Sequence, residues 1–190
     1  MLNSQVVSGT AQTRTRTQAW ARDAALVLGA SILIAVSAQI KIALPFTPVP
    51  VSMQSFAVLF FAALLGSKRG ALAVLAYLAE GALGLPVFSG AHSGLLYMAG
   101  ATGGYLVGFV MAAYVTGLII EKSKKTFKNA LVALLAGDAI IYACGIIWLM
   151  QFVGGMKAAF VCGMLPFLIG NAVKTLLALS GIKAARAFKI

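Results

Sequence analysis

The sequence predicts an all-α integral membrane protein: a bundle of six transmembrane helices with both termini cytoplasmic and glycine-rich outside loops capping a site. Three observations carry that reading. First, the 190 residues are 61% hydrophobic and only 10% charged, with a mean hydropathy of +0.97, whereas soluble domains carry about 25% charged residues. Second, the cations fall in clusters between apolar runs: Arg14, Arg16 and Arg22; Lys68 and Arg69; Lys122, Lys124, Lys125 and Lys128; Lys183, Arg186 and Lys189. Third, residues 81–108 are crowded with glycine in the middle of an apolar chain. Irregular backbone at membrane depth survives only packed inside protein or lining a wet cavity, and such interruptions mark ligand sites in transporters.

The net charge of +11 invites a nucleic-acid partner, but the placement of the charges argues against one. Cations confined to the turns between apolar runs follow the positive-inside rule. With six spans all four clusters face the cytoplasm, leaving only Lys41 and Lys157 near the outer surface; an odd number would strand one cluster outside.

Residues 1–23 read as a basic cytoplasmic tail, residues 24–182 as one transmembrane domain and residues 183–190 as a second basic tail. Span one is expected over residues 24–43, an apolar run too long for a signal-peptide core of about 7–15 residues. Ala21, Ala25 and Gly29 form a small-residue stripe beside it, suited to close helix contact either within the bundle or with a partner protein. Pro45, Pro48 and Pro50 forbid a helix between residues 44 and 54, so an extended outside loop leads to a short span two over residues 51–65. Residues 66–70 form a tight basic turn, and span three, residues 71–83, ends near Glu80. The glycine-rich stretch returns the chain to span four, residues 103–120, where Gly100, Gly104 and Gly108 make a second close-packing stripe. Span five covers residues 130–150 and span six residues 158–179.

Catalytic machinery is not visible. No phosphate-binding G-x-x-x-x-G-K-[ST] loop, zinc-protease H-E-x-x-H or G-x-S-x-G elbow occurs, so the chain reads as no enzyme and as having no ATP site of its own. Its four acidic residues are scattered, unlike the clustered carboxylates of a magnesium-dependent lipid transferase. One histidine, His92, cannot build a metal site, and Cys144 and Cys162 read as small buried hydrophobes. No cofactor or metal is expected.

Polar groups deep in a span are costly and usually face the bundle interior. Asn171 and Lys174 lie three apart on span six, on one helical face; Asp138 and Tyr142 lie one turn apart on span five. In an antiparallel hairpin Asp138 and Lys174 reach similar depth and could pair, a structural or a functional arrangement; a lysine can also snorkel to the interface. Phe88, Tyr97, Tyr105, Tyr142 and Trp148 fall in the outer half, where Tyr and Trp form interfacial belts but where Phe88 and Tyr105 also flank the glycine-rich stretch.

TPVPVSMQ (47–54), LLGSKRGALAVLAYLAEGALGLPVF (64–88), TGGYLVGF (102–109), IYACGIIWL (141–149) and PFLIGNAVKTLLA (166–178) resemble the BioY family, in the right order from residue 24 to residue 178. Its members are biotin-binding S components of energy-coupling factor transporters in the bacterial cytoplasmic membrane. The resemblance implies a six-helix receptor that captures biotin from outside and works with a transmembrane coupling protein and cytoplasmic ATPases. It assigns the small-residue stripe Ala21, Ala25 and Gly29 to docking that partner. The biotin site is expected on Asn171, Lys174, Gln54, Phe88, Gly103, Gly104, Tyr105, Tyr142, Trp148 and Asp138. Gln54 and Asn171 both donate and accept, matching a ureido group; Phe88, Tyr105 and Trp148 would wall the rings, and Gly103 and Gly104 admit backbone approach. The last block departs from the family pattern, which places an aspartate where Asn171 stands, and Asp138 is read as the missing counter-charge to Lys174. Alternatives are an S component for another vitamin such as thiamin or riboflavin, a ligand-free membrane scaffold, or a transporter working without ATPase partners.

Overall fold

A computed structural model of the protein describes residues 3–124 and 126–187. Arg14 and Arg16 in the first basic cluster, Lys125 in the third and Arg186 and Lys189 in the last lie outside the residues whose side chains are described. The chain runs α1 (Asn3–Gln39), β1 (Lys41–Ile42), β2 (Val51–Ser52), α2 (Gln54–Leu65), α3 (Ser67–Ala82), α4 (Leu95–Met98), α5 (Gly103–Lys122), α6 (Phe127–Leu149), α7 (Met156–Gly163) and α8 (Leu165–Ala187).

Three helical stretches are long and apolar enough to cross a bilayer individually: residues 17–39 of α1, α5 and α6. At 1.5 Å per residue they reach about 30–35 Å, the thickness of the hydrocarbon core. Residues 156–168 and 170–185, which take in α7 and most of α8, pass the same test when taken together, with a 46° bend between them. At 12 residues, α2 extends about 18 Å, and its apolar sequence sits in the middle of the bundle with Ala57, Val58, Leu59 and Ala62 buried.

Close helix packing rests on small side chains. Ala62, Ala73, Ala112, Ala113 and Ala133 are fully buried, and a Cβ on Gly104 would run into Cys144 and Trp148 across the α5–α6 seam. Thr116 ties the same pair by donating to the Ala133 carbonyl at 3.1 Å. The outward faces are the reverse of a soluble protein: Leu28, Ile32 and Val36 on α1, Val107 and Met111 on α5, Val132 and Ile147 on α6 and Val173 and Leu176 on α8 are each more than half exposed. Only lipid makes so continuous an apolar exterior stable.

Several expected boundaries move. Span one ends at Gln39 rather than residue 43, because residues 41–42 pair antiparallel with Val51–Ser52 and the proline-bearing loop between becomes a hairpin tip. Span two starts at Gln54 instead of residue 51 for the same reason. The turn at residues 66–70 shrinks to Gly66, whose φ of +85° lets α3 start at once; Glu121 receives the Ser67 amide at 2.8 Å and its hydroxyl at 2.7 Å. Span six is not one helix over residues 158–179: it breaks at Met164, ahead of Pro166, which has no N–H to continue a helical ladder.

The two ends of the bundle differ in character. One gathers Asp23, which pairs with Arg69 at 2.7 Å, the Ser67–Glu121 contact and the start of α6. The other carries the hairpin and the glycine-rich loops, fastened by Gln39, which donates to the Val87 and Phe88 carbonyls and accepts from the Ala91 amide.

Candidate functional site

At the looped end the fold encloses a cavity of about 60 Å³, room for roughly four or five water molecules. Its inner end is made by Asn171 and Lys174 of α8 and by Gln54 and Ser55, the first residues of α2. Tyr105, Leu106 and Phe109 of α5, Ile141 and Tyr142 of α6 and Phe167 of α8 form apolar walls, and Val49, Pro50, Ser52, Ser89, Tyr97 and Thr102 close the top. Above it opens a wider basin of about 630 Å³, whose lining includes Lys41, Thr47, His92 and Leu96. Pro50, Ser89, Tyr97 and Thr102 line both spaces and so form the neck between them. The inner cavity is smaller than the 300–1,000 Å³ typical of small-molecule sites, but it opens through the neck into the basin above.

Helical spacing explains the convergence at the base. Asn171 and Lys174 project together because residues three apart share a helix face. Lys174, 8% exposed, donates to the Ser52 carbonyl at 2.6 Å and to Ser55 Oγ at 3.2 Å, binding α8 to β2 and to the first turn of α2. Gln54, 4% exposed, donates through Nε2 to Tyr77 Oη at 2.9 Å, and that phenol donates on to the Val87 carbonyl at 3.2 Å. The roof is stiffened by stacked rings: His92 on Tyr97 with centroids 4.9 Å apart, Tyr97 on Phe88 at 5.3 Å, and Phe88 edge-on to Tyr77 at 5.6 Å. Burial pushes the Tyr97 phenol above its ordinary pKa, leaving it a neutral hydrogen-bonding group.

Of the residues expected from sequence, Gln54, Tyr105, Tyr142, Asn171 and Lys174 line the cavity. Five do not. Phe88 is wholly buried behind Tyr97, against Tyr77. Gly103 and Gly104 let α5 approach the Met98 carbonyl and α6, rather than leaving backbone open to a ligand. Trp148 faces outward, 38% exposed, and spends its indole N–H on the Gly100 carbonyl at 2.9 Å. Asp138 sits beneath the cavity, lining a small void with Ser55, Lys174 and Thr175. Its expected ion pair with Lys174 does not close to salt-bridge distance among the described residues; the carboxylate instead accepts from Asn171 Nδ2 at 3.0 Å, because Lys174 reaches across to the hairpin. Tyr105 contributes its ring edge, while its hydroxyl is held by the Gly163 carbonyl at 2.8 Å.

Sequence reasoning missed Ser52, Ser55, Ser89 and Thr102. Single hydroxyls in loop or apolar segments carry no signal of their own; Ser55, beside Gln54, was the one within reach. Ala21 and Ala25 are exposed on α1, and nothing lies within 4 Å of a Cβ built on Gly29, so the bundle itself does not cover this stripe. No group of three His, Cys, Asp or Glu side chains among the described residues could hold a metal ion.

Residues 9–189 match the BioY family. The chain belongs to that family. A curated BioY biotin transporter of Thermotoga maritima is 42% identical over 146 residues, covering 77% of this chain and 85% of the relative. One from Rhizobium etli is 38% identical over 160 residues, covering 80% and 85%. A crystal structure of the S-component for biotin from an ECF-type ABC transporter superposes with a TM-score of 0.83 over 90% of this chain and 93% of that one, at 23% identity, and so shares the fold. With transporter relatives and helices of this apolarity, the chain is a multi-pass membrane protein.

Proposed function

We infer that this chain binds biotin from the extracellular side and mediates its uptake as the S component of an energy-coupling factor transporter, with energy supplied by partner ATPases. The observation that carries the reading is the convergence of two neutral amides, Gln54 and Asn171, and one cation, Lys174, at the closed end of an apolar-walled cavity, in a chain whose relatives are biotin transporters. A ureido ring offers two N–H donors and one carbonyl, which amide side chains and an ammonium match in number and kind. The thioether ring and alkyl chain suit the walls of Tyr105, Phe109, Tyr142 and Phe167. Asp138 acts from below, through Asn171. Phe88, Gly103, Gly104 and Trp148 shape the site without touching the ligand.

The domain is residues 24–182, crossing the bacterial cytoplasmic membrane six times, with residues 1–23 and 183–190 as basic cytoplasmic tails. The positive-inside rule supports this orientation: the basic turns gather at the end opposite the cavity. Ala21, Ala25 and Gly29 form a small-residue face suited to close approach by a transmembrane coupling protein, and with no phosphate-binding loop in the sequence the energy comes from elsewhere, in this reading from separate cytoplasmic ATPases. Uptake requires tight binding with the hairpin closed and weakened binding once the partners change the conformation.

Calorimetric titration of the detergent-purified chain with biotin, desthiobiotin and thiamin tests the reading; calorimetry is preferred because Trp148 lies outside the cavity. Saturable biotin binding without a thiamin response is expected. Thiamin binding would move the assignment to another vitamin, and a folded protein that binds none of them would refute the receptor reading.

A further inference from the structure

We propose that Ser89 is a ligand-contacting residue at the neck of the site, its hydroxyl donating to the carboxylate of bound biotin. The proposal rests on the biotin reading above and adds the direction in which the molecule lies.

Ser89 is 5% exposed, yet its Oγ has no hydrogen-bond partner. Other serines of this chain meet the usual demand that buried polar groups be paired. Ser31 reaches the Leu28 carbonyl and Glu80, Ser67 reaches Glu121, and the half-buried Ser37 reaches the Ile34 carbonyl. Ser123, the other buried hydroxyl without a partner among the described residues, follows α5 and lines neither space. Ser89 lines both the inner cavity and the outer basin. Its place does not depend on its own side chain: the Phe88 amide donates to the His92 carbonyl at 3.0 Å, and His92 Nδ1 lies 2.8 Å from the Ser89 carbonyl. The loop thus holds an unpaired hydroxyl rigidly at the passage between two spaces, the arrangement expected where a ligand supplies the missing partner.

Charge decides which end of biotin meets it. The inner end presents the amides of Gln54 and Asn171, a lysine already donating to two oxygens and the Asp138 carboxylate just below. That favours the neutral ureido ring over an anion. The basin is lined by Lys41 and His92 and by no acidic side chain, and the Lys41 ammonium lies against Gly90, the neighbour of Ser89. The ring therefore points inward, the alkyl chain threads the neck, and the carboxylate emerges beside Ser89 with Lys41 at longer range.

The test compares wild type and Ser89→Ala in biotin and biotinol titrations, with thermal melting of the ligand-free proteins alongside. Removing an unpaired buried hydroxyl should leave the ligand-free melting midpoint unchanged or raised. Biotin affinity should fall about tenfold, the weight of one hydrogen bond to a charged acceptor, and biotinol affinity by about threefold or less. Ser89→Ala binding biotin as tightly as wild type overturns the assignment, and so does an equal loss for biotin and biotinol. Failure of the wild type to bind biotin refutes the biotin reading, and this proposal with it.

Discussion

Replacing Lys174 by methionine keeps most of the side-chain volume and removes its donors. The ammonium makes a short bond to the Ser52 carbonyl, 2.6 Å, and a longer one to Ser55 Oγ, 3.2 Å. Bonds from a charged donor contribute about 1.5–3 kcal/mol each. Weighting the longer one at the low end, and letting the freed Ser55 hydroxyl turn to another acceptor, gives about 3 kcal/mol of lost stability for Lys174→Met. Because Ser52 belongs to β2, the loss falls on the roof. If the closed roof becomes a minor conformation, apparent affinity drops by the fraction still closed, so biotin binding should weaken at least about tenfold, before any direct contact with the ligand is counted. The variant also removes the cation nearest Asp138, whose carboxylate keeps its bonds with Asn171 and Thr175 but loses the opposing charge. Lys174→Met combined with Asp138→Asn should recover about 1–2 kcal/mol, a coupling in the range found for neighbouring groups in one network. Denaturant or thermal unfolding of both singles and the double, with biotin titrations, measures every corner of that cycle. Unchanged stability and affinity in Lys174→Met would refute the roof-fastening argument, and strict additivity would refute the coupling to Asp138.

Gly104→Ala places a methyl group on the Cβ of Trp148 and the Cys144 carbonyl, and the α5–α6 seam should lose about 1–3 kcal/mol by overpacking, read as a lower melting midpoint. Trp148→Phe removes the 2.9 Å bond to the Gly100 carbonyl and part of the ring packed on Gly103; stability should fall by about 1–2 kcal/mol while biotin affinity, measured calorimetrically, stays unchanged within error. Tyr105→Phe should likewise cost about 1 kcal/mol through the orphaned Gly163 carbonyl, with little change in affinity, because the ring rather than the hydroxyl faces the ligand.

Much of the site was legible where chemistry stands out against an apolar background. Asn171, Lys174 and Gln54 were visible because polar groups in a membrane span are costly and have to be explained by what they face. Phe88, Trp148, Gly103 and Gly104 were visible for the same contrast but misplaced. Which side of a helix faces a cavity depends on how neighbouring helices rotate: the packing of α5 on α6 turned Gly103 and Gly104 to the seam and Trp148 to the outer surface, while Phe88 went behind Tyr97. The Asp138–Lys174 pair was inferred from equal depth alone, but depth does not say that a longer reach toward the hairpin leaves the lysine better satisfied.

The sequence by itself determined the apolar character of the helices, the clustering of most cations between the apolar runs, the breaks at Pro45–Pro50 and the polar groups of the candidate site. Those features follow from local propensity and from the cost of charge in lipid, which each residue carries wherever it is placed. Tertiary structure decided the pairing of residues 41–42 with 51–52, the neck that joins two spaces and the unpaired hydroxyl of Ser89. These depend on contacts between segments far apart in the chain, and a serine becomes notable only when every neighbour that could satisfy it is in place and none does.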